Sequence, residues 1–147
     1  TSRRCVPQAL ARLRAAGFLL LVVTNQPDVA RGTQRREVVE AMNARLLSEL
    51  PLDEFFVCYE DGPECPRKKP NPGLLLEAAA KHGVDPRASY MVGDRWRDVE
   101  AGARAGCRTI LVDYSYDEKR SQFPPDATAA SLSAAADWIL AREGRKE

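Results

Sequence analysis

Residues 89–112, SYMVGDRWRDVEAGARAGCRTILV, constrain the fold of this chain more than any other stretch. Tyr90, Met91 and Val92 form an apolar run of strand length, Gly93 and Asp94 turn the chain, and residues 96–105 read as a helix that Gly106 stops. Thr109 to Val112 is then a second strand. Two strands joined by one helix are a βαβ unit, whose strands are parallel and whose crossover is right-handed. Asp94 and Asp98 stand where strand becomes helix. In open parallel sheets ligands gather beyond the carboxyl ends of strands, and a helix N-terminus there attracts anions. Two acids at that positive end point to a cation held between them and an anionic substrate.

The flanking sequence repeats the alternation. Residues 6–16 carry Val6, Ala9, Leu10 and Leu13 at helical spacing, with Pro7 near the start and Gly17 at the stop. Residues 18–23 are a continuous apolar run, the pattern of a strand buried on both faces of a parallel sheet. The turn residues Thr24, Asn25, Gln26, Pro27 and Asp28 end it. A helix is expected over residues 34–50, apolar at Val38, Val39, Met42, Leu46 and Leu50, and a strand over residues 54–58. Residues 59–70 read as an irregular, charged and proline-rich segment. Asn71 and Pro72 then read as N-cap and first position of a helix ending at His82 before Gly83. A polar loop (residues 113–126) and an amphipathic helix (residues 132–142) follow the βαβ unit. Strands alternating with helices through 147 residues give one α/β domain, a three-layer sandwich with a mainly parallel sheet.

Composition closes off several function classes. The 22 basic and 21 acidic residues leave a net charge of +1, so no bulk field draws the chain toward nucleic acid or an anionic membrane. The longest apolar run is far too short to span a bilayer and no secretory signal precedes it, which makes a cytoplasmic location the expectation. Cys5, Cys58, Cys65 and Cys107 are scattered and expected to be reduced thiols. His82 sits in the last turn of its helix, where a basic residue is common, and Trp96 and Trp138 read as packing residues.

Three polar clusters fall where such a sheet would bring them together. Thr24 and Asn25 follow the first strand, where a hydroxyl, a carboxamide and turn amides can hold phosphate oxygens; they are also ordinary turn formers. Lys68 and Lys69 lead into a helix N-terminus, where a lysine 4 Å from a phosphoryl group gains roughly 4 kcal/mol at an effective dielectric of 20; a solvated basic loop is the plainer reading. Asp98 in a helix's first turn is stabilised by the helix dipole in any protein, whereas Asp94 behind Gly93 has less reason to be there without a ligand.

The order of these clusters is more specific than any one of them. A strand ending in Thr24-Asn25, a Lys69-Pro70 step before a helix, and a strand followed by Gly93-Asp94 and then Asp98 resemble the second, third and fourth motifs of the haloacid-dehalogenase-like (HAD) phosphohydrolases. Thr24-Asn25-Gln26 with Ala30-Arg31-Gly32, and Lys69-Pro70-Asn71-Pro72-Gly73, resemble the subgroup that contains heptose bisphosphate and histidinol phosphatases. The resemblance implies a Rossmann-like HAD fold and a Mg2+-dependent phosphomonoester hydrolase acting on a small phosphorylated metabolite through an aspartyl-phosphate. It implies that Thr24 binds the transferring phosphoryl group beside Asn25, and that Lys69 neutralises charge on nucleophile and phosphate. Asp94 would bind Mg2+, Asp98 would support the metal or Lys69, and Lys68 and Arg95 would contact substrate. It places no large cap domain between residues 26 and 68. Partners beyond the substrate are not implied, and no oligomeric state. A non-catalytic pseudophosphatase module and a polynucleotide 3'-phosphatase are the alternatives.

Two departures qualify the resemblance. No Asp-x-Asp occurs in the chain, so the nucleophile, the acid/base and the first central strand of the family are expected to be missing, and the chain is read as an N-terminally incomplete copy. A central strand contributes on the order of 10 kcal/mol of apolar burial, comparable to the roughly 5–15 kcal/mol stability of a whole domain. The expectation is therefore a slot that Thr24, Lys69 and Asp94 face together. Secondly, a zinc loop of the subgroup would need four ligands, and only Cys58 and Cys65 remain, with Glu60 and Arg67 at the other positions, which argues against zinc.

Overall fold

The βαβ unit forms as β3 (Tyr90–Gly93), α5 (Trp96–Ala105) and β4 (Arg108–Val112) in the computed structural model, which describes residues 2–116, 118 and 120–144. The strands are parallel, Tyr90 opposite Arg108 and Gly93 opposite Leu111. Gly106 ends α5 at φ 97°, a left-handed backbone that suits glycine. Gly102 seats α5 on the strands: a Cβ there would lie 2.5 Å from Met91 Cβ and 2.9 Å from Thr109 Cγ2.

Before this unit come α1 (Ser2–Ala15), β1 (Leu21–Asn25), the single turn α2 (Pro27–Ala30), α3 (Arg36–Glu49), β2 (Glu54–Cys58) and α4 (Gly73–His82). After it come β5 (Ala127–Ala129) and α6 (Leu132–Gly144). β1 pairs with β2 in one parallel sheet, and β3, β4 and β5 make a second. Among the described residues, no strand pairs with the outer edge of β1 or of β3.

Alternation along β4 sets the layers. Ile110 and Val112 join Ala9 and Leu13 of α1 and Ala135, Ala136 and Ile139 of α6 in one buried cluster. Thr109, one residue away and hence on the other face, meets α5 at Gly102. α4 packs beside α5 and covers β1 and β2 through Leu74 and Ala78 against Phe56 and Cys58. The segment leading into β1 touches β3 at the base through Phe18 and Tyr90, whose rings stand edge to face at 5.9 Å, and Tyr90 in turn meets Trp138 at 6.2 Å.

Several boundaries differ from the sequence reading, each for a local reason. β1 starts at Leu21 because Asp53 takes the backbone of Leu20: its carboxylate accepts the Leu20 N–H at 2.7 Å and its own N–H donates to the Leu20 carbonyl at 2.7 Å. Thr24 and Asn25 are strand residues opposite Val57 and Cys58, not turn residues. α1 begins at Ser2, which puts Pro7 inside the helix. Asn71 is not the cap of α4; Pro72 holds that position, and the Asn71 amide donates to the carbonyls of Pro63 (3.1 Å) and Cys65 (2.8 Å). The polar loop leads into β5, where Ala127 pairs with Ile110; two of its residues, 117 and 119, lie outside the described residues. On α3 only Val39 is buried, while Val38, Met42 and Leu46 of the expected apolar face are exposed.

Candidate active site

A slot of about 810 Å³ separates β1 from β3. Leu10, Leu13, Leu132 and Ile139 of α1 and α6 line one face of it. On the opposite face a smaller space of about 90 Å³ lies between the same strands and Leu75, Ala78 and Ala79 of α4. The gap is thus apolar on both faces and bounded at its sides by strand edges with free backbone groups. Its end near the strand carboxyl termini is polar instead, and Thr24, Lys69, Asp94 and Asp98 all line it.

Lys69 ties this end together. Its Nζ donates to Asp98 Oδ1 at 2.6 Å and to the Val23 carbonyl at 3.1 Å, linking the end of β1 to the first turn of α5. Both charged side chains are nearly covered, at 11% and 10% exposure, so the pair is held away from bulk water. Asp98 Oδ2 accepts the Arg95 N–H at 3.2 Å, which caps α5. Only glycine fits at position 93, because a Cβ there would lie 2.3 Å from Asp98 Cβ and 2.4 Å from its Oδ2. The βαβ turn is therefore shaped around Asp98, and Asp98 around Lys69.

The other expected residues divide into two groups. Among the described residues Thr24 Oγ1 makes only long contacts, at 3.4 Å from Gln26 Nε2 and 3.5 Å to the Asn25 carbonyl, so its hydroxyl is available to an incoming oxygen. Asp94 is half-buried at the mouth and accepts from the Tyr116 hydroxyl at 3.3 Å. Asn25, by contrast, gives its carboxamide to the Lys69 backbone, donating to the carbonyl at 3.3 Å and accepting the N–H at 3.2 Å. Lys68 donates to the Asp61 carbonyl (2.8 Å) and pairs with its carboxylate (3.2 Å), which Arg31 also grips at 2.7 and 2.8 Å. Arg31 first and Lys68 second hold the Asp61 carboxyl below the usual carboxylate range. The Arg95 guanidinium lies 3.8 Å over the Tyr116 ring and pairs with Glu118 at 3.2 Å. Tyr116 and Glu118 were not singled out from the sequence, because they reach the site from a polar loop without local spacing to mark them.

The donor chemistry bears on both metals. A Mg2+ ion takes hard oxygen ligands, commonly one or two carboxylates with phosphate oxygens and waters, and Asp94 at the slot mouth supplies one such carboxylate. Among the described residues no three acidic, histidine or cysteine groups gather around a point. Around Cys58 and Cys65 the pattern is different. The Cys65 thiol lies 2.7 Å from Glu60 Oε2, a contact that pushes the thiol pKa up. Arg67 stands at the remaining corner, its guanidinium 3.8 Å from Glu60, 2.9 Å from Glu77 and 3.3 Å from the Val57 carbonyl. A guanidinium holds loop to helix there and cannot ligate a cation.

Comparison with known proteins matches these features. The HAD-hydrolase-like family model matches residues 66–135, the span that holds Lys69, Asp94 and Asp98. D-glycero-D-manno-heptose-1,7-bisphosphate 7-phosphatase of Thermosynechococcus vestitus is 32% identical, with 91% of this chain and 80% of that protein covered. The chain belongs to the HAD-like hydrolase family. D-glycero-beta-D-manno-heptose-1,7-bisphosphate 7-phosphatase of Pseudomonas aeruginosa is 38% identical over 71% of this HAD-like chain. The chain spans 62% of that relative's length, and 64% and 55% of two further heptose bisphosphate phosphatases. Among solved structures, D,D-heptose 1,7-bisphosphate phosphatase from B. bronchiseptica, crystallised with magnesium and phosphate, superposes with a TM-score of 0.71 at 29% identity, covering 92% of this chain and 81% of that one. Among the described residues no helix is long and apolar enough to cross a membrane.

Proposed function

We propose that this chain carries the phosphate- and cation-binding part of a Mg2+-dependent phosphomonoesterase whose substrate is a small phosphorylated metabolite, a heptose bisphosphate in the first instance. The observation that carries this reading is the Lys69 bridge between Val23 and Asp98 at the polar end of an open slot, with Thr24 and Asp94 on the same rim. A nearly buried ammonium with one acidic partner offers positive charge to transferring phosphoryl oxygens, and the Thr24 hydroxyl can donate to one of them. Asp94 would hold Mg2+, which supplies charge neutralisation on the phosphate when bound. Asp98 keeps Lys69 oriented and takes no part in bond making.

The attacking carboxylate comes, on this reading, from a further strand lying in the slot between β1 and β3. Apolar walls on both faces call for a strand apolar at every position, and its carboxyl end would stand beside Lys69. A carboxylate there would attack phosphorus, forming an acyl phosphate as the ester P–O bond breaks and a second acid protonates the leaving alkoxide. Water would then cleave the acyl phosphate to release phosphate and restore the carboxylate.

The test extends the chain ahead of residue 1 by an apolar strand ending in Asp-x-Asp. Mg2+-dependent phosphate release from heptose bisphosphate is expected, and none from the Asn-x-Asn version. An extended protein that binds phosphate with Mg2+ but turns over neither the bisphosphate nor an aryl phosphate would overturn the hydrolase reading. That outcome favours a phosphate-binding module, the second reading.

A further inference from the structure

We propose that Tyr116 is a positioning residue for the Asp94 carboxylate, and that the strap carrying it, residues 113–116, sets how tightly Asp94 holds a cation; this rests on the reading above that Asp94 is the cation's carboxylate. Asp94 follows the last residue of β3 and precedes α5, so only its own two torsions fix the plane of its carboxylate. Its Oδ2 accepts from the Tyr116 hydroxyl at 3.3 Å, and among the described residues its Oδ1 has no hydrogen-bond partner. One oxygen thus faces a protein donor across a long contact while the other remains for a cation at the slot mouth. Partners of this kind on the outer oxygen of a ligating carboxylate set its orientation, and their loss commonly weakens metal binding about 10- to 100-fold.

The strap is fastened so that Tyr116 can do this. Ser115 adopts φ 60° and its N–H donates to Asp113 Oδ1 at 2.7 Å, which doubles the chain back immediately after β4. The Tyr116 ring is covered on one face by the Arg95 guanidinium at 3.8 Å, and Tyr114 meets it edge to face at 6.0 Å. Beyond it, Glu118 accepts from the Trp96 N–H at 2.9 Å and pairs with Arg95 at 3.2 Å. Arg95 and Trp96 directly follow Asp94, so the strap is anchored to the same turn whose carboxylate it contacts. Tyr116 and Tyr114 are 43% and 47% exposed, so neither ring contributes much to the core. What distinguishes Tyr116 is its hydroxyl on Asp94.

Mn2+, whose electron paramagnetic resonance signal reports binding directly, tests this on the whole chain. The unaltered protein is expected to bind it and Asp94→Asn to abolish binding. Tyr116→Phe should raise the Mn2+ dissociation constant roughly 10-fold, the lower end of the range for such partners, with Tm unchanged. Tyr114→Phe, the control on the same strap, should change neither. Equal affinities for Tyr116→Phe and the unaltered chain, with Asp94→Asn still abolishing binding, overturn the positioning role and leave the cation reading standing. So does a fall in affinity and Tm shared by both tyrosine variants, which would mark a merely structural strap. Binding that survives Asp94→Asn, or is absent from the unaltered chain, overturns the reading beneath it.

Discussion

Lys69 and Asp98 show how one contact organises the site. Each is about nine-tenths covered, and Lys69 Nζ reaches both Asp98 and the Val23 carbonyl, so the side chain is held in place at the polar end of the slot. Removing one member of a buried pair leaves the other desolvated without compensation. Asp98→Ala is expected to destabilise the fold by about 3 kcal/mol, the low end for a broken buried pair, read as a lower urea midpoint at unchanged m. An effect under 0.5 kcal/mol would show that the pair is solvated. Gly93 and the Lys69-Pro70 step were legible in the sequence because the one closes a strand and the other leads into a helix. That Asn25 would spend its carboxamide on the Lys69 backbone was not, since the partner is a main-chain group 44 residues away. Cys107 gives a pH prediction: burial pushes its thiol up to about 11, so the neutral form persists to higher pH than in the unfolded chain. Its stabilising effect is complete below the unfolded pKa near 8.5 and fades as pH rises through 11. Alkylation of Cys107 by iodoacetamide, followed by mass spectrometry, should therefore climb between pH 10 and 12 instead of between 8 and 9.

The elements divide by whether their packing is local. β3, α5 and β4 came out within a residue of the sequence reading because Gly93 and Gly106 punctuate them and each packs on its neighbour. Gly102 is the close-packed point of that unit, and two effects oppose each other there. Alanine gains up to about 1 kcal/mol in helix propensity over glycine, yet its Cβ would stand 2.5 Å from Met91 Cβ, where overpacking costs typically 1–3 kcal/mol. Overpacking wins: Gly102→Ala should lower Tm, and a raised Tm would show that α5 can shift outward freely. α3 is the opposite case. Its apolar residues have the spacing of a core-facing stripe, but Val38, Met42 and Leu46 are exposed. Met42→Glu should accordingly change stability by no more than about 0.5 kcal/mol, as surface substitutions do, in a denaturant titration.

At the scale of the whole molecule, the two parallel sheets stand as separate ladders joined by the Phe18–Tyr90 contact at one end and the Lys69 bridge at the other. The slot between them exposes apolar side chains on both faces, and such surface binds hydrophobic dyes. Anilinonaphthalene sulfonate is expected to fluoresce strongly with this chain and weakly with the strand-extended version; equal signals would mean that the strand does not enter the slot. The sequence by itself determined the α/β class, the parallel βαβ unit, family membership and the polar residues at strand ends, because period, punctuation and spacing are written along the chain. It also set Thr24, Lys69 and Asp94 around one slot; tertiary structure alone decided that Asp98 is held by Lys69, that Asn25, Lys68 and Arg95 turn to protein partners, and that Tyr116 reaches Asp94. Those outcomes depend on which distant groups compete for each charge and hydrogen bond, and that competition is settled only when the layers close.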